Sequence, residues 1–408
     1  MNCGLLGRTL GHSYSPQIHS CLGSYSYELF EKEPEELSDF LQNGSFSGIN
    51  VTIPYKKQVI PFLDVLSPTA KKMGAVNTIV RRPDGTLFGH NTDYFGFFSM
   101  VRHSGLSVSG KKVLVLGSGG ASNTAVEVLK ELGAHVFVIS RSGVNNYGSL
   151  HLHTDAAVIV NATPVGMYPE TGISPVDLEL FPNLEGVLDL IYNPARTKLL
   201  LDAENRGITA ENGLWMLVAQ AKEAAEYFTG ASISDDVIAS IHGLLSRQMQ
   251  NLILVGMPGC GKSTIGLLLA ETTGKKFVDA DMEIVTMAGK SIPEIFAEDG
   301  EEVFRQWETR ALETLGKRSG LVIATGGGCV TKVRNYPLLH QNGTILWLKR
   351  DLNLLPTDGR PLSHKSNMVQ MYAGRKPFYE DFSDLVVDNN GTPEETIAAI
   401  LSLLEESQ

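Results

Sequence analysis

Residues 252–264 read LILVGMPGCGKST, and this stretch decides how the second half of the chain folds. Leu252, Ile253, Leu254 and Val255 form an apolar run short and dense enough for a buried parallel strand. Gly256, Gly261, Lys262 and Ser263 then fall on the pattern G-x-x-x-x-G-K-[ST]. In such a loop the backbone N–H groups of Gly259, Cys260, Gly261, Ser263 and Thr264 turn toward phosphate oxygens, and the helix behind adds its positive end. Lys262 reaches the β- and γ-phosphates, and the Ser263 hydroxyl binds Mg²⁺. The alternative, a Gly-rich turn that binds nothing, leaves the strand in front and the apolar run Ile265, Leu267–Ala270 behind unexplained. A nucleotide site therefore begins in the middle of the chain.

The 408 residues give room for two or three domains with ample cores. With 34 Lys and Arg against 45 Asp and Glu, the net charge is −11, which disfavours nucleic acid or a membrane surface as partner. Anionic ligands must be met by local arginines and lysines. The four cysteines, Cys3, Cys21, Cys260 and Cys329, are scattered, with no C-x-x-C pair, so a structural zinc or a disulfide framework is not expected. The N-terminal residues lack a basic region followed by an apolar core, and no apolar run is long enough to span a bilayer. These features predict a cytoplasmic protein of small-molecule metabolism.

Beyond the phosphate loop, residues 277–284 read FVDADMEI. Read as a strand end, this places Asp279 and Asp281 on one face, one for Mg²⁺ through water and one for a substrate hydroxyl. Arg305 follows in FRQWE on a helix. Residues 321–328, LVIATGGG, are a buried strand running into three glycines, where backbone approaches a ligand closely. That strand ends in no acidic residue, so metal handling falls on Ser263 and the aspartate pair. This argues for a small-molecule kinase rather than a motor ATPase or GTPase.

With GRPLS at 359–363 and GRKPFYEDFSD at 374–384, the segment 250–408 resembles shikimate kinase. The resemblance assigns Asp281, Arg305, Gly327 and Arg375 to shikimate, and Arg360 to a lid over ATP. Bidentate guanidinium pairs suit a carboxylate substrate, and Asp281 would accept or orient the attacking hydroxyl. Two departures from the family pattern stand out. The segments on either side of Arg360 are a few residues short, and Pro356 breaks the helix expected before the lid.

The first half carries four short signals in order: GHSYSP (11–16), INVTIPYK (49–56), GAVNT (74–78) and GHNTDYFG (89–96). Ser13 and Ser15 alternate on one side of extended backbone, which suits a polyol or equally a turn and helix cap. Val51 and Ile53 alternate with Asn50 and Thr52, predicting a half-buried strand that ends at Pro54 and presents Lys56. Together the four resemble the shikimate dehydrogenase family up to about residue 249. That resemblance makes Ser13, Ser15, Thr52, Asn77 and Asp93 ligands of shikimate and Lys56 the acid/base beside Asp93. Ketone reduction by hydride leaves an oxyanion that needs a proton donor within reach.

Residues 111–122, KKVLVLGSGGAS, open a dinucleotide fold, with Gly117, Ser118, Gly119, Gly120 and Ala121 at the turn and Ser122 where the third glycine of G-x-G-x-x-G would stand. Strands at 135–140, 157–161 and 187–190 alternate with helices, as in a parallel Rossmann sheet. After the second strand stand Ser140, Arg141 and Ser142, with no carboxylate to repel a 2′-phosphate and one guanidinium to bind it, so NADP(H) is favoured over NAD. Asn145 stands near where the family often places a second basic residue. NATPVGM (161–167), DLIYNP (189–194) and NGLWMLVAQA (212–221) extend the resemblance, which puts Tyr192 and Gln220 on substrate and Leu190 and Gly213 beside the nicotinamide.

Val237, Ile238, Ile241, Leu244, Leu245 and Met249 share one face of a last dehydrogenase helix. No Gly/Ser- or Pro-rich linker follows it, so the two halves are expected to sit close together. The fold expected is α/β throughout. A substrate-binding domain (1–104 and 214–249) and a Rossmann NADP domain (105–213) precede a P-loop kinase domain with a parallel sheet (250–408). The function expected is bifunctional: reduction of 3-dehydroshikimate with NADPH, then phosphorylation of shikimate with ATP and Mg²⁺, in chorismate and aromatic amino-acid biosynthesis. Two alternatives are a ligand sensor with dead sites, which the presence of Lys56, Asp93, Lys262 and Asp281 opposes, and quinate oxidation with NAD, which Arg141 opposes.

Overall fold

Asn251–Val255 is buried at all five positions because it is the middle strand of a sheet covered on both faces. The computed structural model describes residues 1–11, 13–355 and 365–406, and in them the strands form three sheets. In chain order the first six are β1 (Asn2–Gly7), β2 (Ser26–Glu31), β3 (Gly48–Val51), β4 (Val65–Leu66), β5 (Thr78–Arg81) and β6 (Leu87–His90). They pair in the order β2-β1-β3-β5-β6-β4, with β5 antiparallel to both its neighbours. The next five are β7 (Lys112–Leu116), β8 (His135–Ile139), β9 (Val158–Asn161), β10 (Gly186–Asp189) and β11 (Thr209–Glu211). These are parallel throughout, in the order β11-β10-β9-β7-β8. The last five are β12 (Asn251–Val255), β13 (Lys276–Asp279), β14 (Leu321–Ala324), β15 (Gly343–Lys349) and β16 (Leu385–Asp388), again parallel, in the order β13-β14-β12-β15-β16. In both parallel sheets strands are added on either side of the one that precedes a glycine loop, β7 or β12. The crevice beyond that strand's C-terminal end is where open α/β sheets hold ligands.

The fold is thus the α/β arrangement expected, and it corrects three local readings. The strand at 48–51 ends three residues before Pro54 and is buried at all four positions, because the apolar cluster around Ile49 and Val51 covers one face and Phe228 of the helix Leu214–Thr229 lies against Gly48; Ile53 is left 78% exposed. Asp281 lies in the helix Ala280–Ala288 and not on the strand, because the Asp279 carboxylate caps that helix by accepting from the Asp281 N–H. Leu244 stands 43% exposed on the helix Asp236–Met249, whose buried stripe is Ile238, Ile241, Leu245 and Met249. Pro356 and Arg360 lie outside the described residues.

The contacts divide the chain into two compact units, one of 1–167 with 173–245 and one of 246–408 with 168–172. In the second unit the Lys275 ammonium donates to the carbonyls of Arg247 (2.6 Å), Gln248 (3.1 Å) and Gln250 (2.7 Å). Burial pushes its pKa down to about 8. Gly320 N–H donates to the Met249 carbonyl at 2.8 Å. The end of the helix Asp236–Met249 is thereby capped by groups that come later in the chain.

Candidate active sites

A cavity of about 290 Å³ in the first unit gathers residues from far apart in the sequence. Ser13, Ser15, Thr52, Lys56, Asn77 and Asp93 line it together with Ala121, Leu190, Tyr192, Gly213 and Gln220. Asp93 opens the helix Asp93–His103, where its charge faces the helix N-terminus. Lys56 Nζ donates to Asp93 Oδ2 at 2.6 Å, and Asn77 Nδ2 donates to Asp93 Oδ1 at 2.9 Å. Asn77 is itself fixed, since its Oδ1 accepts from the Thr92 N–H at 2.7 Å. Thr92 Oγ1 donates in turn to Gln220 Oε1 at 3.3 Å. Lysine, aspartate, asparagine and glutamine therefore form one connected set.

Thr92 and Asn50 are functional neighbours that the sequence reading passed over. Asn50 lines the cavity and accepts from the Tyr27 hydroxyl at 2.7 Å. Both sit inside motifs quoted above, Thr92 one position from Asp93 and Asn50 two from Thr52. Tyr192 packs edge-on against Tyr14, ring centroids 6.3 Å apart, and burial raises its pKa.

The cofactor side follows from β7 and the helix Gly120–Glu131. Ser122 stands where a third glycine was expected, and its buried hydroxyl donates to the Gly117 carbonyl at 2.7 Å, closing the turn. Ser118, Gly119, Gly120 and Ala121 are exposed along the turn and helix start. Ser140 is buried at the end of β8, while Arg141 and Ser142 are exposed; among the described residues Arg141 makes no hydrogen bond or ion pair. A Cβ on Gly213 would lie 2.2 Å from the Leu190 carbonyl oxygen, so only glycine lets these two backbones meet at the cavity wall.

Behind Leu190 lies a group the sequence reading did not single out. Asp189 is fully buried; its Oδ1 accepts from Asn161 Nδ2 (3.0 Å) and the Ile191 N–H (3.1 Å), and its Oδ2 from Thr197 Oγ1 (2.7 Å). Burial raises its pKa from 3.8 to about 7, against the three donors. Between those values the folded chain binds more protons than the unfolded chain, so this group's contribution to stability falls as pH rises from about 4 to about 7. Asp189→Asn keeps an acceptor for Asn161 and Ile191 and can donate to Thr197, so it should flatten this loss. Urea midpoints of the dehydrogenase transition at pH 5 and pH 8 check it, and equal pH dependence in the two proteins would refute the assignment. Asp189→Ala, which strands three buried donors, should cost about 3 kcal/mol or more.

In the second unit Gly259 and Gly261 take φ of 85° and 95°, and the helix Lys262–Thr273 begins directly behind. Lys262 Nζ donates to the carbonyls of Gly256 (2.9 Å) and Met257 (3.1 Å). Ser263 Oγ donates to Asp279 Oδ2 at 2.9 Å. Asn389, also missed in the sequence, donates to the Cys260 carbonyl at 2.5 Å and is held by Thr396.

The three glycines 326–328 are each met by a different group. An added Cβ would lie 2.7 Å from Glu308 Oε1 and 3.1 Å from Asp281 Oδ1 at Gly326, 2.8 Å from Pro258 at Gly327, and 2.4 Å from Arg305 Nη1 at Gly328. The run thus brings together the phosphate loop, Asp281 and Arg305. Arg305 pairs with Glu308 (2.9 Å) and Glu301 (3.1 Å). Glu308 is 1% exposed, and burial raises its pKa although Arg305 opposes the rise. Its place three residues after Arg305 on one helix face was the available signal. Arg375 sits within the helix Lys365–Phe382, and its Nη1 donates to the Gly327 carbonyl at 3.2 Å.

Comparison with known proteins divides the chain in the same way. The shikimate kinase family profile matches residues 258–405, and the shikimate dehydrogenase substrate binding domain profile matches residues 5–79. Shikimate dehydrogenase (NADP⁺) of Clostridium beijerinckii is 32% identical over 267 residues, covering 60% of this chain and 98% of its own. Among solved structures, shikimate 5-dehydrogenase from Thermus thermophilus in complex with NADP(H) and shikimate is 31% identical, with a TM-score of 0.54, covering 60% of this chain and 99% of that one. Quinate dehydrogenase from Corynebacterium glutamicum in complex with NAD is 27% identical, with a TM-score of 0.54 and coverage of 60% and 98%.

Proposed function

This chain belongs to the shikimate dehydrogenase family and carries a shikimate kinase domain, and from that premise we propose that it performs two consecutive reactions on one carbon skeleton. The first is reduction of 3-dehydroshikimate to shikimate, and the second is phosphorylation of the resulting 3-hydroxyl. Residues 1–104 and 214–249 would bind substrate, 105–213 NADP(H), and 250–408 ATP with shikimate.

One observation carries the dehydrogenase half: the Lys56–Asp93 pair, 2.6 Å apart, opens on the same cavity as Leu190 and Gly213. NADPH supplies a hydride to the ketone carbon, and the C=O π pair moves onto oxygen. Lys56 gives that oxygen a proton and is reprotonated from solvent, while Asp93 keeps the ammonium aimed. Ser13, Ser15, Thr52, Asn77, Tyr192 and Gln220 would hold the carboxylate and hydroxyls. Arg141, free of hydrogen-bond and ion-pair partners among the described residues, would take the 2′-phosphate that distinguishes NADP from NAD.

In the kinase half the 3-hydroxyl attacks the γ-phosphorus of ATP, the bond to the β–γ bridging oxygen breaks, and ADP leaves. Asp281 orients the hydroxyl and accepts its proton, Lys262 meets the charge on the phosphates, and Arg305 and Arg375 hold the shikimate carboxylate beside Gly327. Ser263 and Asp279 form a hard-oxygen pair that fits Mg²⁺, which neutralises phosphate charge when bound. Among the described residues no helix is long and apolar enough to cross a membrane.

Incubating the intact chain with 3-dehydroshikimate, NADPH, ATP and Mg²⁺ should give NADPH oxidation followed by ATP-dependent formation of shikimate 3-phosphate. Absence of NADPH oxidation would sink the first half of the reading, and shikimate that accumulates unphosphorylated would sink the second. The likeness to a quinate dehydrogenase keeps one other reading in play, and a higher kcat/KM for quinate with NAD⁺ than for shikimate with NADP⁺ would favour it.

A further inference from the structure

Tyr379 is the largest polar side chain in the kinase core whose role no motif explains. It lies on the helix Lys365–Phe382, fully buried, with its ring stacked on Trp347 of β15 at 5.5 Å and 16°. A phenylalanine would fill that space equally well, so the hydroxyl has a separate reason to be there. It donates to the Gly327 carbonyl at 2.6 Å, the same oxygen that accepts from Arg375 Nη1 at 3.2 Å. A carbonyl has two lone pairs, and here one is taken by the tyrosine and the other by the arginine.

We infer that Tyr379 is a positioning residue for the acceptor pocket, holding the Gly327 peptide so that the three-glycine floor and Arg375 both face the acceptor carboxylate and alcohol. The inference rests on the reading that shikimate binds at Asp281, Arg305, Gly327 and Arg375. The floor lies close to its neighbours, since a single added carbon at its glycines would meet Glu308 and Asp281, Pro258 or Arg305. A turn of the Gly327 peptide therefore moves groups on both sides of it. Without the phenol, Arg375 loses its own hydrogen bond to Tyr379 and, among the described residues, is left as the only side-chain donor to that carbonyl; it is drawn onto it, leaving less of its fork for a substrate carboxylate. ATP would be held by Lys262 and the loop N–H groups, and the Lys262 ammonium hydrogen-bonds to the Gly256 and Met257 carbonyls, whereas the Tyr379 hydroxyl bonds to that of Gly327.

The test is steady-state kinase kinetics of the full chain carrying Tyr379→Phe, with Trp347→Phe as a second variant that disturbs the same stack and leaves the hydroxyl. Tyr379→Phe should raise KM for shikimate about tenfold and leave KM for ATP within about twofold. Trp347→Phe should leave both KM values near wild type. NADPH oxidation by the same preparations reports that the dehydrogenase unit is folded, and an unchanged KM for ATP that the kinase unit is. If Tyr379→Phe lowers the thermal midpoint but moves neither KM, or if the two variants behave alike, the hydroxyl is structural and the inference is overturned. A wild-type chain that does not phosphorylate shikimate would instead overturn the functional reading beneath it.

Discussion

Lys262→Met should lower the kinase kcat on the order of 10³-fold while NADPH-dependent reduction by the same molecule continues at its full rate. The ammonium is 9% exposed and held between the Gly256 and Met257 carbonyls, inside the curve of the phosphate loop. In that position it is placed for the charge that develops on transferring phosphoryl oxygens. Removing one pre-oriented donor from such a site costs about 10²- to 10³-fold, and this one also carries a full charge. Methionine keeps most of the side chain's volume, so the loop should not collapse. Single-turnover phosphorylation of shikimate, followed alongside NADPH absorbance, measures both activities in one sample. A kinase rate within tenfold of wild type would mean that Lys262 does not meet the transferred group.

The mirror experiment is Lys56→Met, which should reduce the dehydrogenase kcat by about 10²- to 10⁴-fold and spare the kinase. The effect would belong to kcat, since in the proposed mechanism Lys56 acts on the oxyanion formed during hydride transfer, whereas the other cavity groups would hold substrate throughout. Asp93 would remain anchored by Asn77 at 2.9 Å and so could still hold a substrate hydroxyl. KM for shikimate in the reverse reaction should therefore change much less than kcat. A variant that loses affinity and keeps kcat would assign Lys56 to binding and leave the proton donor to be found elsewhere.

Much of this architecture was legible because it rests on local pattern. Apolar runs ahead of glycine loops gave β7 and β12, and the order of strands and helices gave parallel sheets. Motif residues separated by more than 100 positions, such as Asn77 and Gln220, do meet in one cavity. What stayed hidden is set by contacts across the fold. Period-2 alternation made 49–54 look half-buried, but a strand whose sheet is covered on both faces is buried whatever its own pattern. Asp281 looked like a strand residue because capping by Asp279 is a matter of side-chain geometry. Asp189, Glu308, Tyr379 and Asn389 act by holding other functional groups, and the reason for each lies in a partner distant in sequence or one helical turn away.

The capped end of the helix Asp236–Met249 bears on how such a fusion can be taken apart. A cut at residue 250 looks natural from the sequence, since the phosphate-loop strand starts there. Such a cut would leave Lys275, already poorly solvated, without two of its three carbonyl acceptors, and Gly320 without its own. The last turn of the dehydrogenase helix thus serves as the first structural element of the kinase. A kinase separated from its neighbour should therefore carry that turn with it.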